Sequence, residues 1–377
     1  METDRTAATE TKARLRELTA AYTAIDAVAG FEQALVRRLV QDFRPLVDDV
    51  TVDSFGNVIA SRFFDEHAPT LMISAHSDEI GAVVKAIEHD GFLRFAPIGG
   101  VLEALLVGRA VRVNGHPGVI GSRAGHIASA AERMAAPAMK DLYIDLGLDS
   151  ADDVLEIGIR VGDPIAYDAP LRALANPDRI SGKAVDNRIG CAVIVELARR
   201  LQESSLSANV RFVVAVQEEV GLRGAHVVTY RLNPTAAIVL DTMPAGGTPD
   251  VSSTLELTQA IGAGPVITLI SQSGRAGAIA HPSMVRFLER AAQRADVPVQ
   301  RGVFYGGNSD AASVHLVRAG IPTGIVNLAR RYSHSPVETL DLNDAAHSLE
   351  LLVHAATDFD DQLDLSFLGA QALMDEA

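Results

Sequence analysis

The residues best suited to chemistry in this chain stand where apolar runs stop. The run 71–75 (LMISA) ends in His76 and Asp78, 212–216 (FVVAV) ends in Gln217, Glu218 and Glu219, and 236–240 (AAIVL) ends in Asp241. The run 323–328 (TGIVNL) leads through ARRYS to His334, and Asp186 directly precedes an apolar helical pattern starting at Asn187. Taken singly, each has an ordinary explanation: a satisfied histidine, a solvated glutamate pair, an aspartate capping a helix. For Asp186 the cap and the ligand readings both stand. Gathered at one edge, so many like charges would repel each other unless cations neutralised them, because buried carboxylates are costly unpaired. Two divalent metals would do this. Ligands of His, Asp and Glu without thiolate suit zinc, cobalt or manganese. The single cysteine, Cys191, excludes a disulfide framework and a thiolate cluster, and falls in a helical pattern as a packing residue.

Bringing these residues to one edge requires an open α/β sheet, in which ligands lie beyond the carboxyl ends of the strands. Two helices open the chain, the second with Leu35, Leu39 and Phe43 at i, i+4, i+8 beside Val36 and Val40. Ser54 to Asn57 (SFGN) reads as a turn between short strands. From about Ile80 to Leu171, Gly and Pro punctuate short apolar runs (109–114, 119–120, 142–146, 164–167), which predicts a small β-barrel or sandwich. Beyond Arg172, helical patterns (187–201, one through Met284, Leu288, Ala291 and Ala295, and 345–359) alternate with apolar strands. The expected fold is therefore α/β, a mostly parallel central sheet flanked by helices with an inserted small β-barrel domain. Residues 1–80 and 172–377 would form the two parts of the catalytic domain, and 81–171 the insert.

Composition narrows the partners. The 377 residues carry 33 Lys and Arg against 48 Asp and Glu, a net charge of −15 that repels phosphate backbones, so nucleic acid is not an expected partner. A hydrophobic share of 48% excludes wholesale disorder. The opening residues show no signal-peptide core, and no run approaches the roughly 18 apolar residues of a membrane span. A cytoplasmic location, with no membrane partner, is expected.

Five segments then carry a resemblance. AHSDEIG (75–81), GKAVDNRIG (182–190), VQEEVGLRGA (216–225), VLDT (239–242) and RYSHSPVE (331–338) occur in this order and resemble the tetrahedral aminopeptidases. These include the glutamyl and deblocking aminopeptidases, which are two-metal exopeptidases. The resemblance implies that Asp186 bridges both metals, with His76 and Asp241 completing one site and Glu219 and His334 the other. Glu218 would be the general base and proton shuttle, and Asp78 would fix the His76 ring. The substrates would be peptides with a free amino terminus. The inserted β segment would serve dimerisation, with dimers assembling into a dodecameric homo-oligomer.

Other segments leave alternatives open. GGNSD (306–310) resembles the family's Gly-Gly-Thr-Asp segment with Asn308 and Ser309 where Thr is common, and Asp310 is read either as a substrate contact or as a helix cap. Arg275, in SQSGRAGAIA (271–280), is either a pocket residue favouring acidic side chains or an exposed loop residue. His226, His281 and His315 are not read as ligands. The same site could instead serve an amidohydrolase or carboxypeptidase-like hydrolase of N-acyl amino acids or small peptides. An endoglucanase is disfavoured because Glu218 and Glu219 are sequence neighbours and the chain has no tryptophan. A non-catalytic scaffold is disfavoured because neither a ligand nor the base is lost.

Overall fold

Apolar runs buried on both faces form parallel strands covered by helices. In the computed structural model, which describes residues 2–368, four such strands make the centre of a nine-stranded sheet. They lie in the order Asn209–Ala215, Thr70–His76, Ala236–Pro244 and Thr323–Arg330, all parallel. Antiparallel strands extend both sides. Val58–Arg62 and Asp49–Val52 add to one, and Val266–Ser273 to the other, where it pairs antiparallel with Ala276–Ile279 and parallel with Gln300–Tyr305. The sheet is thus mixed, parallel at its centre and joined on each side by an antiparallel strand.

Chain direction places helices on both faces. From Thr70–His76 the chain reaches Asn209–Ala215 through helix Val185–Arg200, then doubles back to Ala236–Pro244 through helix Arg223–Leu232. Right-handed crossovers running in opposite directions across a sheet put their helices on opposite faces. Helix Val185–Arg200 is buried along nearly its whole length because Glu2–Thr23, Gln33–Phe43 and Leu342–Asp358 pack over it.

Directly after the central strand that ends in His76, the chain leaves the sheet. Six strands, Gly81–Ile87, Leu93–Ile98, Tyr143–Asp145, His116–Gly121, Ala110–Val113 and Pro164–Tyr167, close into an antiparallel barrel. Val84, Leu93, Val113 and Ile144 fill its own apolar core. Closure rather than a sandwich removes exposed strand edges. On the return, Arg172–Ala173, Arg179–Gly182 and Glu338–Asp341 form a three-stranded sheet that sets Gly182 opposite Glu338. Among the described residues, no helix is long and apolar enough to cross a membrane.

Two local expectations change. The helix expected from Asn187 begins at Val185 and its first turn is irregular, with Asp186 at φ −76°, ψ 107°. The strand expected to stop at Leu240 continues to Pro244, so Asp241 lies within it rather than after it.

Candidate metal centre

His76 is the last residue of its strand and is buried on all sides. Its Nε2 lies 3.3 Å from Asp186 Oδ1 and 3.5 Å from Asp241 Oδ1, with Glu218 Oε2 at 4.0 Å. The ring is oriented through Nδ1, 3.2 Å from the main-chain carbonyl of Asp78. The Asp78 carboxylate does something else: it accepts the main-chain N–H of Glu218 (2.9 Å) and of Glu219 (3.0 Å), while its Oδ1 stays 3.6 Å from the ring. The expected hold of Asp78 on His76 is therefore made by its backbone. Its side chain aims the glutamate pair.

A second imidazole faces the first across Asp186. His334 Nε2 lies 3.6 Å from Asp186 Oδ2 and 3.5 Å from Glu219 Oε2. Its Nδ1 lies 3.1 Å from the carbonyl of Gly100, in the inserted segment. Each oxygen of Asp186 thus faces a different histidine. Three sets of side chains bring ligand atoms close enough to share an ion: His76–Asp186–Asp241, Asp186–Glu219–His334, and His76–Glu218–Glu219.

The cap reading of Asp186 does not hold. Asn187, one residue later, caps the helix through Oδ1, which accepts from Gly190 N. Asp186 Oδ2 pairs with Arg330, and Oδ1 is buried without a hydrogen-bond partner. Asp310 does not cap its helix either. Both of its oxygens are buried without partners, and burial, reinforced by Asp241 and Asp78, pushes its carboxyl up to about 8. It does not line the cavity beside the cluster, whereas Asn308 and Ser309 do. Arg275 is exposed and does not line that cavity, although Ser273 and Ala276 on either side of it do. His281 accepts from Ser283 N at a helix start, His315 contacts the Ala311 carbonyl, and His226 is exposed. Cys191 is buried in its helix with Sγ 3.1 Å from the His76 carbonyl.

Burial and crowding shift the proton equilibria of Asp186, Glu218, Glu219 and His334. Asp186 is opposed by burial, yet Arg330, His334 and His76 hold it well below the usual carboxylate range. Burial and the nearby Asp241 and Glu219 raise Glu218 well above that range, with His76 working against them. Burial and Asp186 bring Glu219 to about 8. Burial disfavours charge on His334, but the hydrogen bond to Asp186 and the charge of Glu219 raise it to about 9. Left-handed backbone, uncommon for non-glycine residues, surrounds these groups: Ala184, Gln217, Leu222, Tyr332 and His334 all adopt φ between 52° and 59°.

Sequence reasoning missed the cation and the acid that complete the cluster. Arg330 Nε donates to Thr242 Oγ1 (2.6 Å) and its Nη1 to Glu338 Oε1 (2.9 Å). Glu338 in turn accepts the main-chain N–H of Asp186 and of His334, each at 2.9 Å. Glu338 lay inside the RYSHSPVE segment, so its place beside His334 was a usable signal.

A buried group of imidazoles and carboxylates, at the carboxyl ends of parallel strands and open to a cavity of about 510 Å³, defines a hydrolase centre on a zinc-exopeptidase-like fold. Residues 56–351 match the M42 glutamyl aminopeptidase family, and the chain belongs to that family. The lysyl aminopeptidase of Pyrococcus furiosus is 31% identical over 331 residues, which cover 86% of this chain and 91% of that protein. Among solved structures, the aminopeptidase APDkam598 from Desulfurococcus kamchatkensis superposes with a TM-score of 0.90 at 34% identity, covering 95% of this chain and 99% of the other. The TET1 peptidase of Pyrococcus horikoshii, described as assembling into a tetrahedron or a large octahedral shell, gives 0.80 at 28% identity, covering 92% of this chain and all of its counterpart.

Proposed function

We propose that this chain hydrolyses N-terminal residues from peptides as a two-metal aminopeptidase, with zinc or cobalt, or else manganese, as the divalent ions. One observation carries the reading: the two oxygens of Asp186 face two different histidines, each with a further carboxylate in reach. The donor set fits such ions, since it is all imidazole and carboxylate, and the buried Asp186 Oδ1 lacks any hydrogen bond that a cation would have to displace. His76, Asp186 and Asp241 would hold one ion, and Asp186, Glu219 and His334 the other. When bound, such ions polarise the scissile carbonyl and acidify water. Glu218 takes the proton of the attacking water on its carboxylate and delivers it to the leaving nitrogen. Asp78 aims that carboxylate by fixing the backbone at 218 and 219, and burial of Glu218 keeps bulk water from competing for the proton.

Family membership supports substrates with a free amine. Among the described residues, the cavity walls beyond the titratable cluster and Arg330 carry no charged side chain; Met243, Pro244, Ser273, Ala276 and Phe304 are typical of them. Leucyl or alanyl p-nitroanilides should therefore be cleaved faster than glutamyl or lysyl ones by the metal-loaded protein, about tenfold or more, because a buried charge without a partner is costly. N-acetylated analogues should be inert. Cleavage of the acetylated set alone would replace this reading with the N-acyl amidohydrolase.

Metal uptake should release protons. In the metal-free protein, His334 keeps its proton up to about pH 9, and His76 is also raised, burial being outweighed by the charges of Glu218 and Asp241. Coordination needs both rings neutral, so adding zinc near pH 7.5 should release about one proton or more per ion, and affinity should fall as pH falls. Uptake without acidification in weakly buffered solution would contradict this. We also propose that the inserted barrel pairs subunits into dimers, which assemble further into a dodecamer; light scattering at micromolar concentration should show a mass far above that of a dimer, and a monomer would rule out both.

A further inference from the structure

Arg330 is a strong base inside an acidic cluster, and the proton transfers above do not use it. Its guanidinium is buried and tied down on three sides, to Thr242 Oγ1, to Glu338 Oε1 and to Asp186 Oδ2. Glu338 is itself fixed by the main-chain N–H groups of Asp186 and His334, so the fork cannot easily swing aside. Arginine cannot shed its charge in a protein. The two oxygens of Asp186 are consequently unequal. Oδ1, facing His76 and grouped with Asp241, has no other partner; Oδ2, facing His334, already carries a cation.

We infer that Arg330 makes the two metal positions unequal: the His76–Asp186–Asp241 position fills first and holds its ion, while the Asp186–Glu219–His334 position binds weakly and exchanges. This rests on the two-metal reading of the site. Two cations sharing one carboxylate oxygen repel each other, and in a buried setting that repulsion is poorly screened. Solvent access runs the same way. The His76 side chain is 2% exposed and that of His334 31%, so the second ion is also the one that water and chelators reach.

The test is a titration of the metal-free full chain with cobalt, followed by calorimetry and by the visible spectrum of each equivalent. The wild type should show a first ion bound at least about tenfold more tightly than the second, with His334→Ala removing only the second event. Arg330→Met, which keeps length but removes charge, should tighten the second event about tenfold or more, whereas Arg330→Lys should leave it weak. A residue with a merely structural role would loosen both events when replaced. Equal affinities in the wild type, loss of the first event in His334→Ala, or a second event unchanged or weakened in a folded Arg330→Met would overturn the inference. If Arg330→Met does not fold, Arg330→Gln takes its place, with the same tightening of the second event expected and a second event unchanged or weakened overturning the inference. A chain that takes up no divalent ion would refute the two-metal reading itself, a different result from uptake with two equal sites.

Discussion

Glu218→Gln is expected to lower turnover by about 10²- to 10⁴-fold, the usual loss for a missing general base, with metal content and assembly unchanged. The amide keeps the size of the side chain and its hydrogen bonding but cannot accept a proton. Glu218 is buried, faces His76 at 4.0 Å and has its backbone held by Asp78, so the substituted side chain should stay in place. Glu219→Gln should behave differently. Glu219 lies 3.5 Å from His334, and its loss should weaken one ion, with excess metal restoring part of the activity. A rival assignment exists, because His76 also groups with both glutamates. If Glu218→Gln keeps near-full activity, or if added metal rescues it and not Glu219→Gln, the two roles are reversed.

The largest loss of stability is expected from Glu79→Ala, at about 3–5 kcal/mol, the range for breaking a buried ion pair from one side. Glu79 receives Lys183 Nζ on both oxygens (2.9 and 3.0 Å), Arg188 Nη2 at 3.2 Å and the main-chain N–H of Ala27 at 2.9 Å. All three charged residues are at most 2% exposed. Alanine would leave two cations in the interior, with Asp26 the remaining partner of Lys183 and three main-chain carbonyls the remaining partners of Arg188. Urea unfolding at matched protein concentration measures the difference. A loss below about 1 kcal/mol would mean that the network is wet enough to screen itself.

The strand ends were legible because burial on both faces leaves a continuous apolar run, and the polar residue that stops it marks the sheet edge. His76, Glu218, Glu219 and His334 were found in this way, and the barrel announced itself by its punctuation at Pro164–Tyr167 and the other short runs. Strands Gly81–Ile87 and Leu93–Ile98 were not read. Lys85 and Arg94 interrupt their apolar residues, and a strand with one wet face shows only alternation. Arg330 was invisible for a different reason. Its partner Asp186 lies 144 residues away, and only the fold brings the two together. The capping role passed from Asp186 to Asn187 likewise, because two adjacent residues of suitable type cannot be ranked until the backbone direction is known.

The contact between Gly100 and His334 bears on modularity. A Cβ placed on Gly100 would lie 2.6 Å from His334 Nδ1, and the Gly100 carbonyl is the acceptor facing that nitrogen. The insert therefore contributes an exposed peptide group to the positioning of His334, and Arg112 in the barrel strand Ala110–Val113 ties to Asp26 beside Lys183. Such an insert cannot be exchanged as a cassette. A chimaera carrying a foreign barrel would have to reproduce one side-chain-free position and one carbonyl to keep the second imidazole in place. Any load that a neighbouring copy put on the barrel would reach the cluster through that peptide and through the Arg112–Asp26 pair.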